Sequence, residues 1–295
     1  MSVKRVGILP GGARIHRCLL WAGTCVLLPG LFSGIAQKIE FNKVEPAVIE
    51  ERLRRVTDKN PKREEALQTL FEEAGCTGEQ LAEQPVKGSH TPNVICTLKG
   101  TEDNTVIVGA HYDKVNNGHG IVDNWSGASL LPSLFQGLHA KPRRLTFVFI
   151  GFTDEEQGLI GSKFYASRLS KEQRETIRAM INIDSLGLSD TKVWLSYADK
   201  RLAAGAFAVA RSLNLPLAAV NVEKVGLSDA GSFREKKIPS IDFHSVTQET
   251  LSILHSSRDT FSAIQMSAYQ ESYTFLVAYL AYLDATWEAH PDLKP

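Results

Sequence analysis

RLTFVFIGFTDEEQGLIGS, residues Arg144–Ser162, runs from an apolar segment straight into three acids and then into a glycine-punctuated helical pattern. Leu145–Phe152 is apolar at nearly every position. Such a run is expected of a strand covered on both faces, as in a parallel sheet, rather than of a strand with one wet face. Asp154, Glu155 and Glu156 follow directly. Adjacent carboxylates repel, and a strand can leave a sheet through Gly or Asn at lower cost. The triplet is therefore either a solvated acidic loop or a set of acids with a task, and the rest of the chain decides between them.

The same organisation repeats outward. Strand-like runs occur at 93–100 (NVICTLKG), 104–113 (NTVIVGAHYD), 179–187 (AMINIDSLG), 192–198 (KVWLSYA) and 238–246 (IPSIDFHSV). Helical patterns lie between them at 126–140, 158–169 and 200–214, upstream over 44–75, and at the end over 267–289. In the upstream region Asn60 reads as an N-cap, Pro61 as the first helical residue and Gly75 as the stop. Pro132 falls inside a helical pattern and should kink it or end its first turns. The last helix carries Glu271 and Asp284, is too broken to span a membrane, and its aromatic stripe reads as core packing. Strands alternating with helices predict an α/β fold: a single domain with a central, mostly parallel mixed sheet and helices on both faces.

Composition narrows the function. The 295 residues are 43% hydrophobic and 22% charged, and Lys+Arg and Asp+Glu both count 33, so the formal net charge is zero. That suits one large core and gives no basic stripe for nucleic acid. Residues 1–36 read as a leader. Lys4, Arg5, Arg14 and Arg17 precede the apolar run Cys18–Ala36, which ends in small residues. This is the pattern of a secretory signal, with a retained membrane anchor as the alternative. Either way residues 37–295 form the exported domain, secreted or periplasmic, with membrane attachment only if the leader stays uncleaved. Downstream, only Cys76 and Cys96 remain. In an oxidising compartment they can form one disulfide, and two buried thiols are the alternative.

Acids and histidines cluster after the apolar runs: His111 and Asp113, then Asp123, then Asp154–Glu156, then Asp184, then Asp242, His244 and His255. Carboxyl ends of strands in an open α/β sheet are where ligands bind. Carboxylates and imidazoles converging there are costly unless a divalent cation offsets their charge, and mixed His and carboxylate ligands suit zinc.

In this context HYD (111–113), DNWSG (123–127), DEEQGLIGS (154–162), NIDSLG (182–187) and LHSSRDT (254–260) together resemble the di-zinc aminopeptidases of the bacterial leucyl aminopeptidase type. That superfamily also holds glutaminyl cyclases and the transferrin receptor ectodomain. The segment LSDAGSFREKKIPSIDF (227–243) resembles the family's stretch ahead of the last ligand. The resemblance implies two zinc ions, with His111 and Asp184 on one, Glu156 and His255 on the other, and Asp123 bridging both. It implies that Asp113 orients His111, that Glu155 is the general base, and that the Asp123–Asn124 peptide is cis. Asp154 stays a loop acid and Asp259 is a further support for His255.

The implied chemistry is hydrolysis of the first peptide bond. Two zinc ions roughly 3.5 Å apart share a water of lowered pKa, and Glu155 carries its proton to the leaving amine. The partner is a peptide with a free N-terminus. His244 is the alternative last ligand, and His119 reads as surface or substrate rim. Glutaminyl-peptide cyclisation is the rival activity, but Leu254 stands where cyclases usually carry Trp. A non-catalytic binding protein of the same fold is the third reading, although such proteins lose ligands that this chain keeps. Trp125 departs from the small residue common after the bridging Asp, so it either narrows the site or packs beneath it. Segments 186–190, 226–234 and 244–254 are the expected walls of the substrate pocket.

Overall fold

The computed structural model describes residues 24–28, 37–221 and 226–287. The strands are β1 Thr24–Leu28, β2 Gln37–Phe41, β3 Leu81–Gln84, β4 Asn93–Leu98, β5 Thr105–His111, β6 Thr146–Phe152, β7 Ile177–Ile183, β8 Lys192–Val193, β9 Ala218–Ala219 and β10 Ser240–His244. The helices are α1 Pro46–Arg54, α2 Asn60–Glu73, α3 Ser126–Ala128, α4 Leu130–His139, α5 Ile160–Arg168, α6 Lys171–Thr176, α7 Lys200–Leu213, α8 Asp229–Arg234 and α9 Met266–Thr286. The predicted leader lies outside the described residues except for β1, which pairs antiparallel with β2. Among the described residues no helix is long and apolar enough to cross a membrane.

One mixed sheet carries eight strands in the order β3-β4-β6-β5-β7-β10-β8-β9. Its centre, β6-β5-β7-β10, is parallel throughout, and β3, β4 and β8 join antiparallel to their inner neighbours. The period-two alternation of a strand divides these apolar runs between two cores. Val106, Val108 and Ala110 of β5, with Phe147 and Phe149 of β6, face the larger core formed with α1, α2, α4, α7 and α9. Ile107 of β5, with Val148, Ile150 and Phe152 of β6, faces a smaller core closed by Ala166 of α5 and Phe233 of α8. The same alternation continues past the strand ends. His111 follows Ile107 and Gly109 onto the smaller-core face, and Asn182 and Asp184 follow Met180. The polar ends of β5 and β7 thus share a side, at the carboxyl edge of the sheet.

Helix boundaries follow local chemistry. Asp199 caps α7 by accepting from the N–H groups of Arg201 and Leu202, and Ser170 with Gln173 forms a capping box on α6. For α2 the cap is Lys59, one residue earlier than the sequence suggests. Asn60 Oδ1 instead accepts from the Lys114 N–H at 3.2 Å, so a tertiary contact takes the side chain that would have capped. Gly75 does end that helix, with φ +98°. The pattern containing Pro132 breaks at Ser129 into α3 and α4, as expected where a proline has no N–H for the carbonyl four residues back. KVWLSYA is strand only at Lys192–Val193, after which Leu195–Tyr197 turns outward. The short β3, β9, α6 and α8 carry too few periodic positions to stand out in the sequence.

The aromatic stripe of α9 is core. Tyr269, Tyr273, Phe275 and Tyr279 are buried, and Phe243 meets Phe275 and Tyr279 edge-on. The buried Tyr hydroxyls are satisfied, for example Tyr269 donating to the Ser126 carbonyl at 2.8 Å and Tyr279 to that of Leu202 at 2.9 Å. Cys76 and Cys96 form a disulfide across a Cα–Cα distance of 6.3 Å, tying the end of α2 to β4.

Candidate metal centre

Each acid or imidazole of the centre is delivered by a strand end or by the turn after it. His111 closes β5, and Asp113 follows two residues on. Glu155 and Glu156 lie in the loop after β6. Asp184 follows β7, its N–H bonded to the Phe243 carbonyl at 2.9 Å so that the ladder continues through it. Asp123 sits in an irregular turn, Ile121–Trp125, and the Asp123–Asn124 peptide is cis, as the resemblance implies. His255 has φ +55° and Ser185, beside Asp184, φ +57°, conformations that a surrounding structure must enforce.

The centre is organised about Asp123. Its Oδ1 lies 3.2 Å from His111 Nε2, and its Oδ2 lies 3.0 Å from His255 Nε2. Asp184 Oδ1 is 3.7 Å from His111 Nε2, and Glu156 Oε2 is 3.0 Å from His255 Nε2. Two groups with ligand geometry result, His111–Asp123–Asp184 and Asp123–Glu156–His255, and Asp123 belongs to both. Glu155 comes within the same range of His111 and Glu156. All five expected ligands are therefore together.

Asp113 explains why two glutamates can be adjacent. One of its oxygens accepts from the Glu155 N–H at 3.0 Å and the other from the Glu156 N–H at 3.2 Å. That clamp pins the loop backbone at both glutamates. Asp113 Oδ1 also lies 3.3 Å from His111 Nδ1. Asp154 stays outside the cluster and accepts from the Gln157 side chain.

The supports differ in part from the expectation. Asp259 does not reach His255. It accepts from the N–H groups of Ile121 at 2.9 Å, Val122 at 2.6 Å and Asp123 at 3.2 Å, and so holds the Asp123 turn. Asn124 donates to the Ile183 carbonyl at 2.9 Å and accepts from Gly127 N–H at 2.9 Å. A Cβ on Gly127 would fall 2.5 Å from both Asn124 Oδ1 and the Ile183 carbonyl, which is why that turn needs glycine. Trp125 is fully buried beneath the turn and does not narrow the site. His244 is no ligand: Nε2 bonds the Val220 carbonyl at 3.1 Å, Nδ1 accepts from Val246 N–H at 3.1 Å, and burial pushes its pKa down to about 4. His119 is at the surface, 3.1 Å from Asp58.

Electrostatics show what the cluster lacks. Burial pushes Glu155 up to about 9, with Asp229, Asp184 and Asp123 reinforcing and His111 opposing. Burial also raises Glu156 and Asp184. Burial alone would lower His111, but Glu155, Asp113, Asp123 and Asp184 hold it well above its ordinary value. Asp123 and Glu156 raise His255 to about 10. Burial would raise Asp123, yet the two imidazoles hold it below the usual carboxylate range. Buried carboxylates this close together favour their protonated forms, and a divalent cation bound among them would displace those protons. Glu156 Oε1 is buried without a hydrogen-bond partner, as suits a ligand oxygen.

Asp229, at the start of α8, is a residue that sequence reasoning did not single out. The residue is 1% exposed, neither carboxylate oxygen has a partner in ordinary hydrogen-bond geometry, and burial pushes it up to about 7 against the opposing pull of His111 and the nearby Ser162 hydroxyl. Its place in LSDAGSF was visible, but its burial was not. The sign of its stability effect follows. Between the ordinary 3.8 and about 7 the folded chain keeps a proton that the unfolded chain has lost, so this group lowers stability as pH rises, by at most about 4 kcal/mol at pH 8. In zinc-free protein, Asp229→Asn is expected to raise unfolding stability by about 1–3 kcal/mol at pH 8, the buried amide returning part of the gain. At pH 4 the pKa difference contributes little and only the cost of the amide remains, so the variant should be less stable than wild type by roughly 1–3 kcal/mol. Denaturant unfolding at the two pH values checks this.

Beside the cluster lies a cavity of about 450 Å³. Trp194, Leu227, Phe243, Val246, Leu251 and Leu254 form its apolar part. Segments 226–234 and 244–254 contribute walls as expected, but 186–190 does not, because Leu186 and Leu188 turn into the larger core.

Fold and site together define a protein with a carboxylate–imidazole centre at the carboxyl edge of a mixed α/β sheet. The profile of Peptidase family M28 matches residues 93–280, nearly two thirds of the chain, and the chain belongs to that family. An aminopeptidase of Pseudomonas aeruginosa is 38% identical over 104 residues, which is 34% of this chain but only 19% of that relative. The structure of BSAP, a zinc aminopeptidase from Bacillus subtilis, aligns with a TM-score of 0.61 and 25% identity over 67% of this chain and 51% of that one. A glutaminyl cyclase of an Acidobacteriales bacterium shares the fold, with a TM-score of 0.67 and 15% identity over 87% of this chain and 98% of that one.

Proposed function

We propose that this chain is an exported zinc aminopeptidase that hydrolyses the N-terminal peptide bond of peptides. The observation that carries the reading is the Asp123 carboxylate, one oxygen facing His111 at 3.2 Å and the other facing His255 at 3.0 Å, with Asp184 and Glu156 completing the two groups. His111 and Asp184 would hold one zinc, Glu156 and His255 would hold a second, and Asp123 would serve both. When bound, the zinc pair supplies Lewis acidity toward the scissile carbonyl and lowers the pKa of the attacking water. Glu155 accepts the proton of that water at its carboxylate and returns it to the leaving amine. Asp113 fixes the loop that aims Glu155 and orients the His111 ring.

The cavity supports a preference at the first position. Leu227, Phe243, Val246, Leu251 and Leu254 reject charge and accept a medium or large apolar side chain. The charged α-amine has its partners in the acids of the centre, which restricts cleavage to the free end of a peptide. Export is supported by the leader pattern and by the Cys76–Cys96 disulfide, which suits an oxidising compartment.

The test is purified protein with measured zinc content, assayed on a panel of aminoacyl-p-nitroanilides beside cyclisation of Gln-peptides. About two zinc ions with release of leucine or phenylalanine supports the proposal. One zinc with cyclisation would replace it with the cyclase reading, and zinc without turnover would leave a binding protein.

A further inference from the structure

Arg63, in the second turn of α2, is among the largest fully buried side chains of the protein, and it lies thirty residues ahead of the segment that the family profile matches. Its hydrogen bonds go to main-chain carbonyls. Nε donates to the Tyr112 carbonyl, and Nη2 to that of Gly120. Nη1 donates to the carbonyls of Thr57 and His119, both at 3.0 Å. Its guanidinium carbon stands 5.3 Å from the centre of the Trp125 ring.

Those acceptors have meaning for the site. Tyr112 lies between His111 and Asp113. His119 and Gly120 lead into the Ile121–Trp125 turn that carries Asp123. One rigid fork therefore joins the strand end bearing the first imidazole to the turn bearing the shared carboxylate. Asp259 binds the N–H side of the same turn, so that turn is gripped by its carbonyls from one side and by its amides from the other. The guanidinium also brings a full positive charge near Asp113, Asp123 and Asp259. A fully buried arginine with no direct carboxylate hydrogen bond costs desolvation energy that packing alone would not require. An apolar side chain of similar length could fill the space against Trp125.

We propose that Arg63 is a positioning residue of the metal centre, setting the separation between the His111–Asp113 strand end and the Asp123 turn from a helix outside the family-matched segment. Lysine cannot substitute fully, because an ammonium lacks the planar fork that reaches carbonyls in two directions. The inference rests on the zinc reading given above.

The test uses Arg63→Lys and Arg63→Met, with Arg143→Met as a matched control. Arg143 is also buried and donates to main-chain carbonyls, those of Leu138 and Glu40, but at the far end of the sheet, where it also pairs with Asp284 at 3.7 Å. Zinc affinity is measured by competition with a chromophoric chelator, well below each protein's unfolding temperature, and kcat and KM are measured at saturating zinc. Expected is a loss of zinc affinity of about 10- to 100-fold in Arg63→Met and a smaller loss in Arg63→Lys, the range typical for partners of metal ligands. kcat should fall with KM nearly constant, and Arg143→Met should lose stability while binding zinc as the wild type does. Either Arg63 variant binding zinc within twofold of wild type overturns the inference, whatever its stability. Failure of both to fold overturns it too, since Arg63 would then serve folding. A wild-type protein that binds no zinc would instead sink the proposed function.

Discussion

Glu155→Gln is expected to lower kcat by about 10²- to 10⁴-fold, the usual contribution of a positioned general base, while zinc content stays at the wild-type level. Glutamine keeps the shape of the side chain and the backbone N–H that Asp113 holds at 3.0 Å, so the loop should not move. What is lost is the carboxylate that accepts the proton. Burial, with Asp229, Asp184 and Asp123 nearby, raises its proton affinity in the zinc-free chain, and bound cations would lower it toward the operating pH, where a general base works. KM should change by no more than a few-fold, because the ligand groups and cavity walls are untouched. Steady-state kinetics with metal analysis on the same preparation checks both halves. Zinc loss in parallel with activity would make Glu155 a ligand, and a kcat within tenfold of wild type would remove it from the chemistry.

Asp123→Ala should have the second large effect and should differ in kind from His255→Ala. Asp123 belongs to both ligand groups, His255 to one. Removing the shared carboxylate is expected to weaken binding of both metals and to lower activity by about a thousandfold or more, since Lewis acidity at the scissile carbonyl is lost with them. His255→Ala should retain one zinc, held by His111, Asp123 and Asp184. The protonation states offer a readout free of metal. In zinc-free protein the hydrogen bond that His255 donates to Asp123 is the first cause of its rise to about 10, with Glu156 second, so Asp123→Ala should bring that imidazole part of the way down toward its ordinary value, visible in an NMR titration of the ring. If His255 titrates unchanged, Asp123 does not face it in solution and the shared-ligand arrangement fails.

These expectations depend on residues whose local context announces them. HYD and DEE place imidazole and carboxylate within a few residues of one another, directly after runs whose apolar continuity marks buried strands. Alternation along a strand then decides which side chains share a face, and this too is local. For this reason the α/β class, a mostly parallel sheet and a gathering of acids and imidazoles at its carboxyl edge could be read from the chain alone, while the choice of five ligands among them was what the family resemblance implied. The adjacency of Glu155 and Glu156 raised the right question at that level.

The answer to it was not local. Asp113 holds the backbone of both glutamates through bonds across more than forty residues, Asp259 holds the Asp123 turn across 136 to 138, and Arg63 joins two loops across 49 to 57. None of these residues has a neighbour in sequence that betrays its partner. The choice between disulfide and free thiols at Cys76 and Cys96 required their Cα atoms to meet at 6.3 Å, and the retreat of Leu186 and Leu188 from the pocket wall required the larger core to claim them. Periodicity and motif spacing are set by the covalent chain and its hydrogen-bond ladders, so sequence alone determined the sheet and the chemical groups at its edge. Hydrogen-bond partners, burial and the charge each group feels are sums over segments far apart in the chain, and only the tertiary structure decided those.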